Sequence, residues 1–139
     1  MGYPTWEQWK GAVRVQEIKE YYEARGYKCS VFNVSDHTVV DMIAENDRKV
    51  IALEICNWKE DETLTIAKFL GWLKHWDKVQ AEMKANGDNR RLVRRLVYSY
   101  PENIQYILDY LLRYSIELQC MGADNESDVV VKHSKEEKR

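Results

Sequence analysis

Cysteine is scarce in this sequence. Cys29, Cys56 and Cys120 are odd in number and show no CxxC spacing, which argues against a disulfide framework and against a zinc knuckle. A reducing cytoplasm is the expected location. Long apolar runs are missing too: none approaches the ~20 residues of a membrane span, and the start Met-Gly-Tyr-Pro-Thr-Trp lacks the basic and apolar regions of a signal peptide. Neither secretion nor a membrane partner is expected. Excess positive charge is also absent. With a net charge of −2, nothing draws the whole protein to nucleic acid, and a phosphate-binding surface has to come from local clusters of Lys and Arg. Repeats and internal linkers are not evident.

What the chain does hold is a globular balance, with 45% hydrophobic and 32% charged residues over 139 positions. A folded unit of this length buries well over half of its unfolded surface, and a second independent domain does not fit. Residues 1–122 are expected to form one domain. Residues 123–139 end in Ser-Lys-Glu-Glu-Lys-Arg and carry little apolar content beyond 129–131, the pattern of a solvated, flexible tail.

Along the chain, Trp6, Trp9, Val13, Ile18, Tyr21 and Tyr22 recur at helical spacing before Gly26, so the pattern predicts a helix over 5–25, with a break near Gly11. A strand over 27–34 and a polar turn follow. Residues 38–45 (TVVDMIAE) and 49–57 (KVIALEICN) are β-rich and flank Asn46-Asp47, which predicts an antiparallel hairpin. Both strands are apolar on both faces, as in the middle of a covered sheet, and that makes Asp41 and Glu54 conspicuous. Leu64, Ala67, Leu70, Leu73, Trp76 and Val79 mark a second helix ending near Asn86-Gly87. A strand over 91–100, a helix started by Pro101, and a strand over 116–120 complete the order αβββαβαβ. The expected architecture is α/β, with a mixed five-stranded sheet between layers of helices.

A two-residue loop at Asn46-Asp47 would set Glu45 against Arg48 and Asp41 against Ala52. Glu54 is then the diagonal neighbour of Asp41 on the same face, about 7 Å away. Two such carboxylates can share one divalent cation. Hard oxygen ligands favour Mg²⁺ or Mn²⁺, and Mg²⁺ accepts one or two carboxylates together with water and phosphate, which suits phosphodiester hydrolysis. A loop longer by one residue would invert the face parity.

These residues carry a resemblance. TVVDMIAENDRKVIALEIC resembles the central hairpin of the PD-(D/E)xK (restriction-endonuclease-like) nuclease superfamily, whose pattern is Pro-Asp, a strand turn and Glu-x-Lys. The preceding helix ending EARGYKC and the later LVYSYPENIQYILDYLLRYSIEL extend the similarity over about residues 16–119. The resemblance implies a metal-dependent DNA nuclease, often dimeric, with Asp41 and Glu54 as metal ligands and catalytic residues. It also implies a further acidic ligand on the first helix, Glu17 or Glu20. Two positions depart from the pattern: Val40 stands for Pro, and Cys56 for the catalytic Lys. A neutral thiol neither holds the attacking water nor offsets charge as an amine does. Lys68 on the second helix, and behind it Lys59, are the candidates for a relocated lysine. The other outcome is a catalytically inactive nucleic-acid- or protein-binding module that keeps the fold.

Plainer readings stand beside each of these. Asp41 and Glu54 could be acids satisfied by protein donors with no metal, and Cys56 a small core residue. His37 in a turn and His75 on the long helix suit the surface, and neither enters the expected site. Arg90, Arg91, Arg94 and Arg95 fit phosphate contacts or a charged strand edge equally well. Tyr106, Tyr110 and Tyr114, like Trp72 and Trp76, suit packing better than base stacking.

Overall fold

A computed structural model describes residues 6–32, 39–56, 64–121 and 129–132, the side chains of 6–14 and 129–132 excepted. Its elements are α1 (Trp6–Glu23), β1 (Lys28–Val31), β2 (Met42–Glu45), β3 (Lys49–Ile55), α2 (Ile66–Ala85), β4 (Arg91–Tyr98), α3 (Leu108–Arg113), β5 (Glu117–Met121) and β6 (Val129–Lys132). Two 3-10 turns, Pro101–Asn103 and Gln105–Ile107, lead into α3.

The strands lie in sequence order in one six-stranded mixed sheet. β1, β2 and β3 form an antiparallel meander, β3, β4 and β5 run parallel, and β6 returns antiparallel on β5. Parallel neighbours need a crossover, which α2 supplies between β3 and β4, and the 3-10 turns with α3 between β4 and β5. Alternation along β3 divides the interior in two. Ala52 and Cys56 join Phe69, Trp76 and Val79 of α2 and Leu111 of α3, whereas Ile51, Leu53 and Ile55 join Val15, Ile18 and Tyr22 of α1. The sheet is therefore covered on both faces, as its doubly apolar strands require. No helix among the described residues is long and apolar enough to cross a membrane.

Local chemistry sets the ends of the helices. Thr65 Oγ1 accepts the Lys68 N–H at 3.2 Å and caps α2. Gly26, at φ +89°, ends the run after α1, with the Tyr27 N–H returning to Tyr22 O at 3.1 Å. Ser115 does the same after α3 at φ +58°, and the N–H of Ile116 reaches Leu111 O at 3.1 Å.

Four details differ from the sequence expectation. Gly11 does not break α1. The third helix divides into two 3-10 turns and a short α3, because Pro101 opens a tight turn and no side chain caps the start of α3. Part of the expected tail, β6, pairs with β5 from Met121↔Val129 to Leu118↔Lys132. The hairpin register is Glu45↔Val50 to Met42↔Leu53, two residues away from the expected one. Asn46 is the reason. Its side-chain oxygen accepts the N–H groups of Arg48 (2.8 Å) and Lys49 (3.0 Å), so the polar side chain closes a turn around Asp47-Arg48 rather than Asn46-Asp47. A shift of two residues keeps face parity.

Candidate functional site

The two-residue shift moves Asp41 from opposite Ala52 to beside Glu54, one step beyond the Met42↔Leu53 pair. β2 is irregular at this point. The Asp41 N–H donates to Leu53 O at 3.0 Å, and Asp41 Oδ2 accepts the N–H of Ile55 at 2.8 Å. Odd-numbered residues of β3 direct their N–H groups toward β2. Where β2 leaves the ladder, the Asp41 carboxylate takes the place of the missing backbone acceptor.

Glu54 projects from the face of β3 that α2 covers, and its side chain is 1% exposed. Its Oε2 lies 2.5 Å from Nδ1 of His75. The ring is brought there by its neighbour: Trp76 is fully buried, and its Nε1–H donates to Ala52 O at 2.9 Å. Ala52 and Glu54 are two apart on one face of β3, and His75 and Trp76 are adjacent on α2. One anchored indole thus fixes the imidazole above the carboxyl group.

Burial pushes the Asp41 carboxyl up to about 6 against the opposing Ile55 hydrogen bond. Burial, and then the like charge of Asp41, pushes Glu54 up to about 10. Two acids share a desolvated place, so proton uptake is favoured. A divalent cation relieves the same strain. Each carboxylate gives one oxygen to a protein partner, Ile55 N–H or His75 Nδ1, and the second oxygen of each has no hydrogen-bond partner among the described residues. Oδ1 of Asp41 and Oε1 of Glu54 therefore fit a hard cation. Among the described residues no group of three His, Cys, Asp or Glu side chains could hold a metal ion; Mg²⁺ is a cation that accepts one or two carboxylates together with water and phosphate oxygens.

The other expected residues are more dispersed. Cys56 is 2% exposed within the cluster beneath α2, a packing position. Lys68 lies exposed in the first turn of α2, seven residues and about 10 Å along the axis before His75, on the same side of the helix. Glu17 is half-buried and Glu20 exposed on α1, which packs on the other face of the sheet, and neither contacts Asp41 or Glu54. Lys59 and His37 lie outside the described residues.

The arginines do not make one surface. Arg90 gives its guanidinium to Asp88, to Glu45 Oε1 (3.0 Å) and to Asn46 O (3.0 Å). Arg91 and Arg95 project to the α1 face and Arg94 to the other, by strand alternation. Arg95 is buried, with Nη1 on Tyr22 OH (2.8 Å) and Nη2 on Glu117 Oε1. Arg91 is exposed and reaches Glu117 Oε2 at 3.6 Å. Tyr110 stacks on Tyr114, which meets Phe69 edge-on, while Tyr106 is 82% exposed.

His75, expected at the surface, is instead the residue that joins the site. Lys68, Trp72, His75 and Val79 fall on one stripe of α2 at i, i+4, i+7 and i+11, and a stripe counted by position rather than by apolar side chains contains it. No protein-family model matches the chain, and no curated protein matches its sequence.

Proposed function

We propose that this protein is a metal-dependent nuclease, or a nuclease-derived protein, of the PD-(D/E)xK type that hydrolyses phosphodiester bonds in DNA, with Asp41 and Glu54 as the ligands of Mg²⁺ or Mn²⁺. One observation carries the reading: a half-buried carboxyl group just before β2 and a buried one on β3, both with raised pKa, each with one oxygen held by the protein and one without a hydrogen-bond partner among the described residues. The order of elements supports it. A leading helix, an antiparallel meander and a crossover to a parallel strand are the succession that the restriction-endonuclease-like resemblance implies.

A bound cation would supply a water of lowered pKa and stabilise charge on the phosphoryl oxygens. The protein's part is to fix the two carboxylates. Ile55 N–H orients Asp41, and the anchored imidazole orients Glu54. Lys68, extending from the first turn of α2, is the amine closest in role to the missing motif lysine, and a second copy of the chain would present a second site for the other strand.

The buried, core-packed Cys56 favours one alternative, a module that keeps the fold and binds DNA or protein without cleaving it. Melting temperature measured against Mn²⁺ and Mg²⁺, together with cleavage of plasmid DNA, tests both readings. The nuclease reading expects a rise of about 2.7 kcal/mol in stability at a hundredfold excess over Kd, DNA nicking, and loss of both effects in Asp41→Asn. Metal binding without cleavage in any DNA form would favour the silent module, and no metal-dependent shift at all would overturn the metal site.

A further inference from the structure

We propose that His75 is the positioning residue of the carboxylate pair: its hydrogen bond to Oε2 fixes the Glu54 carboxyl so that Oε1 is the oxygen offered to an ion shared with Asp41. The inference rests on the metal reading above and assigns to α2 a role that the hairpin motif does not contain.

Three features of the geometry support it. The contact is short and shielded, 2.5 Å between side chains that are 12% and 1% exposed. The ring cannot drift independently of β3, because Trp76, the next residue, is bonded to the Ala52 carbonyl. The arrangement also completes a symmetry of function, since the Ile55 N–H holds one oxygen of Asp41 as the imidazole holds one of Glu54. A ligand carboxylate left without such a partner samples several rotamers, and ordering it costs binding free energy; outer-shell partners of this kind typically matter by about 10–100-fold in metal affinity.

Calorimetric titration of the full chain with Mn²⁺ alone provides the test, with the apo fold of each variant checked by circular dichroism. Wild type is expected to bind, and His75→Ala to bind about 10–100-fold more weakly. His75→Asn, whose amide nitrogen occupies nearly the place of Nδ1 and donates to a carboxylate, is expected to recover most of the loss. Equal weakening in folded His75→Ala and His75→Asn would overturn the proposal in favour of plain packing. Unchanged affinity in His75→Ala, with binding abolished in Asp41→Asn, would overturn it while leaving the carboxylate site intact. Absence of Mn²⁺ binding in wild type would remove the carboxylate reading and this inference together.

Discussion

Asp41 is held between two demands: its oxygen is needed as an acceptor for Ile55, yet its charge is unwelcome beside Glu54. The consequence is a pH dependence of defined sign. A carboxyl whose folded pKa is raised, here from 3.8 to about 6, contributes stability that is complete below the unfolded value and lost as pH rises through the folded one. In the absence of divalent metal, the protein is therefore expected to melt lower at pH 7 than at pH 5. Asp41→Asn keeps the acceptor and removes the charge. Its melting temperature should exceed that of wild type by the equivalent of about 1–3 kcal/mol at pH 7, and the two should converge near pH 4. A wild-type advantage at pH 7 without metal would contradict this account. Arg95 presents the opposite case, a buried cation whose two terminal nitrogens are partnered by Tyr22 and Glu117. Arg95→Met removes the short ion pair of Glu117 and leaves it the longer contact to Arg91; stability in denaturant titration is expected to fall by about 3 kcal/mol, and the double variant with Glu117→Leu should regain most of it.

Among the elements, the hairpin shows how far sequence patterning reaches. Alternation placed Asp41 and Glu54 on adjacent strands with the right parity, but the turn was displaced, because an Asn that closes a turn with its side chain looks the same in sequence as one inside the loop. The basic run at 90–95 looked like a cluster, yet strand alternation sends its members to opposite faces, and Arg90 is taken up by local acids. His75 is expected at the surface because a lone polar residue on a long helix suits a solvated face, whereas packing against β3 leaves its side chain only 12% exposed. The break between the 3-10 turns and α3 has no comparably clear signal in the sequence. At the end of α3, Ser115 occupies a left-handed conformation, which costs an L-residue about 1–2 kcal/mol. Ser115→Gly removes that strain but gives the unfolded chain about 0.5–1 kcal/mol more entropy, so a net gain of about 0.5–1 kcal/mol is expected from thermal melts.

At the scale of the whole molecule, the order of elements was legible because the periodicity switches cleanly between two and 3.6 residues, while the outer strand β6 was not. Its short apolar run lies in a charged context that reads as solvated, and only the open edge of β5 gives it a place to pair. Removing residues 122–139 would expose that edge, in which Leu118 is otherwise buried. The shortened chain is expected to be less stable and to self-associate with rising concentration, as read by size-exclusion chromatography. Unchanged monomeric behaviour and an unchanged melting point would show that β6 contributes little.

The tryptophan that grips the Ala52 carbonyl also limits how this protein can change over evolutionary time. One residue added between Thr65 and His75 would swing the imidazole about 100° around the helix axis, away from its glutamate, whereas growth beyond Val79 would leave the pairing untouched. Insertions should therefore be tolerated at the far end of this helix and weeded out near its beginning.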